Sequence, residues 1–349
     1  MTGTTPLTAA PATQRGPALP RPRGPVSRAV LEALTQSPGP PPAADTATAW
    51  PLAEAGRGDP LGEDLQLALY LCYELHYRGF AGVDAAWEWH PGLLGLRAVL
   101  ERGFLAELRA QLAGGTDVAG ELAALLSEPV DGTGVAGHLQ ERGEWWQMRE
   151  FFVHRSVYHL KEADPHAWVI PRLEGRPKAA LVAVEFDEFG GGRAERVHAR
   201  LFADLLDGAG LDSGYGTYLG MVPAQSLAVV NLMSLLGLHR ALRGALVGHF
   251  AAAEITTPPS ARRLARALER MGADPVCAAF YTEHIEADAV HEQVMRHEVV
   301  DGLLAREPEL AGDVVLGIQA TALLEDRLGD RLLGAWQQGR SSLLRPLAL

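Results

Sequence analysis

From Leu61 onward the apolar residues of this chain recur at helical spacing and almost never alternate, which leaves little room for a sheet. The pattern runs through LQLALYLCYELHYRGF and LLGLRAVLERGFLAELRAQL. It returns near 138–163, 178–208, 223–252, 259–271, 274–306 and 309–336. The breaks between these stretches carry Gly or Pro: ADPHAWVIPRLEGRP, GAGLDSGYG, TTPPS, GADP and REPELAGD. One run, ALVAVEF at 180–186, has the length and β-branching of a strand, but its flanks continue helically. Aromatic residues are few, at 7%, and Ala, Leu, Gly and Arg dominate, a balance that favours helices. The expected fold class is all-α, a helical bundle.

The first 60 residues differ in texture. They hold twelve of the 23 prolines, including PGPPPAAD at 38–45, and read as a disordered arm with room for one short helix at 26–34. The expected division is an arm at 1–60 and one helical domain at 61–349, with residues 1–55 dispensable for folding. The first 31 residues lack acids and carry four arginines, a faint likeness to a transit peptide, but they have no apolar core of a secretory signal. Net charge is −12 and no basic stretch is interleaved with aromatics, so a small-molecule partner is expected and nucleic acid is not. Two cysteines, Cys72 and Cys277, form no framework, and a reducing cytoplasm is the default. No run reaches the roughly 20 apolar residues of a membrane span; Ser226–Leu238 comes nearest and is interrupted by Asn231 and Ser234.

Residues 283–292, EHIEADAVHE, concentrate chemistry. In a helix, Asp288 lies about 40° and His291 about −20° around the axis from His284, so the three share one face over two turns. Imidazole and carboxylate together suit iron, manganese or zinc, and no thiolate is placed to compete. Glu283, Glu286 and Glu292 point elsewhere and read as solvated. On this helix alone, a polar face with incidental histidines is as good a reading.

Two further segments answer it. In FDEFGGGRAERVHARLF (186–202), Glu188 precedes His198 by ten residues, a span of ~15 Å in a regular helix and too far for one metal ion. The glycines at 190–192 invite a break that brings the two together, or they form a plain loop with Glu188 as a cap. Glu195 competes with Glu188, because Glu195 and His198 make the i, i+3 carboxylate–histidine pair of di-iron bundles. In REFFVHRSVYHLKEADPHAW (149–168), Arg155, Tyr158, His159 and Glu162 lie on one stripe, and an inward acid there needs a metal or Arg155 as partner. Asn231, Met221, Tyr158 and Tyr281 are pocket candidates, each with a structural alternative.

At YHLKEADPHAWVIPRL, KAALVAVEFDEFGGGRAERVHARLF and EHIEADAVHE, together with LYLCYELHYRGFAGVDAAWEWHPGLLGLR upstream, the chain resembles the haem-oxygenase-like di-iron oxidases, the iron-containing redox enzymes. The resemblance covers about residues 62 to 345 and leaves out the arm. It implies a haem-oxygenase-like bundle holding two Fe(II) ions rather than haem, with O2 as co-substrate. It implies as ligands Glu162, Glu188, His198, His284, Asp288 and His291, and all six positions carry the residue type that the pattern needs. It also ranks Glu188 above Glu195. The implied activity is an O2-dependent oxidase or oxygenase acting on a small metabolite by N-oxygenation, desaturation or C–C cleavage. An external electron donor and a homodimer are compatible with it. The competing functions are a haem oxygenase or haem-binding protein, which needs one proximal histidine rather than this constellation, and a non-catalytic iron-binding module.

Overall fold

The apolar runs become helices, and among the described residues no strand forms. The computed structural model describes residues 16–39, 50–127 and 134–347, with the side chains of 286–289 excepted. Before the bundle proper come α1 (Pro25–Leu34) and α2 (Leu52–Arg57), followed by α3 (Glu63–Glu74), α4 (Pro91–Gln111), α5 (Val118–Leu126), α6 (Val135–Glu141) and α7 (Trp145–His159). The middle holds α8 (Asp164–Ala167), α9 (Gly175–Glu188), α10 (His198–Gly208) and α11 (Ala224–Leu238). The chain closes with α12 (Arg243–Met271), α13 (Val276–Val294), α14 (Asp301–Leu304) and α15 (Ala311–Trp336). The ambiguous ALVAVEF is helical, inside α9. No helix among the described residues is long and apolar enough to cross a membrane.

The centre of the bundle is α12, packed against α15 and α13, with α10 on the far side of α13 and α11 between α3 and α15. The crossing of α12 and α15 is set by two glycines. A Cβ on Gly248 would lie 2.1 Å from the Val314 carbonyl oxygen, and one on Gly317 would lie 1.9 Å from that of Ala245. Only bare backbone fits there, so the two helices meet backbone to backbone. Helix α11 is buried on every face, which explains why its apolar residues show no stripe. Asn231 within it donates from Nδ2 to Gln66 of α3, to its carbonyl oxygen at 2.9 Å and its Oε1 at 2.8 Å. It ties two helices together, while its Oδ1 is buried without a hydrogen-bond partner.

Two expectations are corrected. TTPPS is not a break: α12 runs through Pro258 and Pro259. The prolines lack N–H donors, yet the Thr256 and Thr257 hydroxyls each donate at 2.8 Å to carbonyls one turn back, of Ala252 and Ala253, and packing against α13 and α15 does the rest. The second correction concerns the proline-rich arm. Residues 16–39 and 50–60 are packed on the bundle. Val26, Val30 and Leu34 of α1 are at most 1% exposed. The first turn of α1 is capped by another helix, since the Val26 and Ser27 amides donate to Asp64 of α3 at 2.9 and 2.7 Å. Arg23 pairs with Glu63 at 2.7 Å and donates to the carbonyls of Leu219 and Val222 at 2.8 Å. Composition hid this because the partners are long-range. The remainder of the expected arm, residues 1–15 and 40–49, lies outside the described residues.

Candidate metal centre

The GGG segment decides the geometry. Helix α9 ends at Glu188, the chain turns through Gly190, Gly191 and Gly192 with φ of 75°, 60° and 81°, and α10 begins at His198. A Cβ on Gly190 would come within 2.7 Å of the Arg196 carbonyl carbon and the Val197 nitrogen, so glycine alone lets the turn close. The closure places Glu188 Oε2 2.8 Å from His198 Nδ1. Glu195 is exposed in the short helical turn Ala194–Arg196 and is not part of the cluster.

Glu162 is not on the α7 stripe. It lies in the turn after His159, before Asp164 begins α8. Arg155 is not its partner either, because Arg155 forms a two-pronged pair with Glu325 at 2.7 and 2.6 Å. Glu162 Oε1 instead meets His159 Nδ1 at 2.9 Å and lies 3.7 Å from His284 Nε2. Burial works against the charged carboxylate, but the adjoining His159, then His284, hold its pKa well below the usual range. It therefore faces the cluster as an anion. The i, i+3 spacing of His159 and Glu162 was the signal for this pair.

Two groups of side chains result. Glu162, Glu188, His198 and His284 each offer an atom within 4.8 Å of the others, and Glu188, Glu254 and His291 do the same. All six are buried, and Glu188 belongs to both. Their chemistry fits a metal. Glu162 Oε2 and His198 Nε2 are buried with no hydrogen-bond partner, and such orphaned acceptors are costly unless a cation satisfies them. His284 donates from Nδ1 to the Phe280 carbonyl at 2.7 Å, which fixes its tautomer and puts the lone pair on Nε2, 3.7 Å from Glu162 Oε1. His291 Nε2 lies 3.2 Å from Asp187 Oδ2, and its Nδ1 lies 3.2 Å from Glu254 and 3.8 Å from Glu188.

Thus five of the six expected residues come together. The sixth, Asp288, falls where side chains lie outside the described residues, as does Glu286. Glu283 pairs with Arg196, and Glu292 with Arg296 at 2.6 Å; both are half-buried in ion pairs rather than solvated, and neither belongs to the cluster. Glu254 was missed. Its signal was that of a lone acid in the apolar run HFAAAEI, read past because TTPPS seemed to end the helix. Asp187 was missed without any periodic signal to find it. Of the pocket candidates, Tyr281 is core, packed edge-on against Phe280 and tilted against Phe152, and Met221 meets Leu344 through its backbone. Tyr158 lies within the electrostatic field of Glu162, Glu188, Glu254 and Glu185. Burial, then Glu188 and Glu254, push the Glu185 carboxyl up to about 9.

Residues 149–326, just over half of the chain, match the family of iron-containing redox enzymes. The chain belongs to that family. The matched stretch holds all the candidate ligands, and its description names the metal that the buried imidazoles and carboxylates suit. Among characterised members, the chain is similar to a nitrosourea synthase of Streptomyces achromogenes subsp. streptozoticus, 27% identical over 183 residues. That likeness takes in 52% of this chain and 39% of the relative, so the chain spans about two fifths of the relative's length. With that membership goes the all-α, haem-oxygenase-like fold described above.

Proposed function

We propose that this chain is a non-haem di-iron enzyme that consumes O2 to oxidise a small metabolite. The observation that carries the reading is Glu188, whose carboxylate belongs to both groups of potential ligands, so one residue would serve both ions. On this reading Glu162, His198 and His284 would hold one iron, and Glu254 and His291, together with Asp288, would hold the other. Bound iron supplies the redox chemistry for O2.

The chain's own contributions are holding, orienting and drying. The Phe280 carbonyl fixes the His284 tautomer by accepting a hydrogen bond from its Nδ1–H. Asp187, whose side chain is 56% exposed, reaches in to steady His291 from the opposite nitrogen. The rings of Phe280 and Phe202 pack about His159, with centroids 5.0 and 4.8 Å away, and keep water from the Glu162 side. Among N-oxygenation, desaturation and C–C cleavage, the likeness to a nitrosourea synthase favours oxidation at nitrogen. An external electron donor is part of the reading.

The test is an anaerobic Fe(II) titration of the full chain followed by Mössbauer spectroscopy and single-turnover O2 consumption. Two irons per chain and O2 uptake are expected. Asp288→Ala should lower both, whereas Glu286→Ala, about 200° around the helix from its neighbours at 284 and 288, should leave both intact. A single iron environment, a haem band, or iron loss in Glu286→Ala alone would overturn the reading.

A further inference from the structure

Glu162 is the one candidate ligand held by a turn, and the turn is unusual. Ala163, beside it, has φ of 74°, the only positive value among the described residues other than glycines. The two residues on the other side of Glu162 are fastened to the end of α3. Lys161 is 1% exposed, and its Nζ lies 2.9 Å from Glu74 Oε2, which is wholly buried. The ammonium also sits 4.2 Å from the centre of the Tyr77 ring. Both oxygens of Glu74 are met in turn by the Tyr215 hydroxyl, at 2.7 and 2.9 Å. Arg78, one turn beyond Glu74, stacks on the Tyr215 ring at 4.2 Å and donates from Nη2 to the Leu160 carbonyl at 3.3 Å.

A buried ion pair is a poor device for stability alone, because apolar residues of the same shape often serve as well. What it does well is define one arrangement. Here it defines where residues 160 and 161 sit, and so where the carboxylate of residue 162 points. None of Glu74, Lys161 and Arg78 belongs to either group of potential ligands.

We propose that Glu74, Lys161 and Arg78 are positioning residues, a clamp from α3 that sets the Leu160–Ala163 turn and aims Glu162 at the first iron. The inference rests on the proposed reading of the cluster as an iron site and adds a device to it. The clamp acts on one of the two groups of ligands only, since Glu188, Glu254 and His291 are carried by α9, α12 and α13.

The test uses the full chain with the double substitution Glu74→Gln/Lys161→Met, which removes both charges at nearly constant shape and strands neither. The expected result is an unchanged melting temperature, faster amide exchange at residues 160–163 in the metal-free chain, and Fe(II) bound about 10- to 100-fold more weakly at the Glu162 site alone. The second Mössbauer doublet is expected to persist. Tyr215→Phe, which removes only the hydroxyl from Glu74, should shift the same site in the same direction by less. Wild-type affinity and exchange in the double variant would overturn the proposal. So would equal weakening of both sites together with a lowered melting temperature, which is what a merely structural pair would give. If the unsubstituted chain takes up no iron, the reading of the cluster fails, and this inference with it. If it takes up two and the variant shows no selectivity, the inference alone fails.

Discussion

Replacing Gly190 or Gly191 by alanine separates two causes that the turn between α9 and α10 combines. Both residues have φ in the left-handed region, 75° and 60°, where a Cβ costs about 1–2 kcal/mol. That cost is the same with or without metal, provided the turn stays closed, so it appears as stability. For a chain of this size it amounts to a fall of roughly 1–3 °C in melting temperature. The surroundings differ. A Cβ at 191 meets only Phe186 Cε1 at 3.8 Å, an ordinary contact, whereas at 190 it meets the Arg196–Val197 peptide at 2.7 Å. Contacts below 3.0 Å are essentially never found for Cβ, so the peptide must retreat by roughly 0.3 Å, and His198 is the next residue. Metal sites tolerate about 0.2 Å in ligand distance, so the retreat is enough to spoil the approach of His198 to Glu188. The expected outcome is that both variants melt lower, while only Gly190→Ala loses Fe(II) affinity, by at least tenfold, in anaerobic titration. Equal loss of affinity in the two variants, or none in Gly190→Ala, would refute the claim that this close approach builds the site.

Removing residues 1–35 deletes α1 and its buried Val26, Val30 and Leu34, each worth about 1.5–3 kcal/mol in transfer, so the melting temperature measured by circular dichroism is expected to fall by at least about 5 °C; an unchanged value would mean that α1 packs too loosely to matter. Glu254→Ala is expected to lose the second iron while retaining the first, and Glu195→Ala to lose neither, as counted by metal analysis; the reverse would restore the carboxylate–histidine pair of residues 195 and 198. Burial, followed by the charges of Arg331 and Arg155, lowers His154 to about 3, so the unfolded chain binds its proton more tightly and stability falls as pH drops below about 6.5. From this residue the slope is about 1.4 kcal/mol per pH unit down to pH 3, and His154→Gln should show a denaturant-unfolding profile shallower by that amount between pH 6 and 4.

How much of this was legible in the sequence depends on whether the signal was local. The helices were, because their apolar spacing is local; even ALVAVEF, strand-like in composition, was settled by helical flanks. The face of α13 that carries His284 and His291 was legible for the same reason. The meeting of Glu188 with His198 was legible only as an alternative, since three glycines announce a break but not its direction, which depends on the backbone of Arg196 and Val197 standing against Gly190. The packed arm was not legible. Its helix is capped by Asp64 and its Arg23 is held by carbonyls about 200 positions away, and no window along the chain contains both halves of such a contact. TTPPS misled for the converse reason: prolines break helices on their own, and it took hydroxyl donors and tertiary packing to carry α12 through them.

Most residues of the cluster share a property that explains both its chemistry and its concealment. Glu188 is the last residue of α9, His198 the first of α10, and Glu162 lies in a turn just past α7. Glu254 precedes Pro258 by one turn, and His291 stands near the end of α13, where the chain passes into a π-helical turn at Met295–Val300. His284 and Glu254 are the exceptions, well within α13 and α12. A regular helix offers side chains at fixed angles and 1.5 Å steps, which seldom let several helices aim atoms within 5 Å of one another. Ends, turns and irregular windings supply the extra freedom, at a cost in backbone regularity that the surrounding bundle must offset. The rigid centre, where α12 and α15 touch through Gly248 and Gly317, and the glycine turn and proline-bearing helix at the cluster are therefore parts of one arrangement. The first holds the frame still enough for the second to be irregular in a reproducible way.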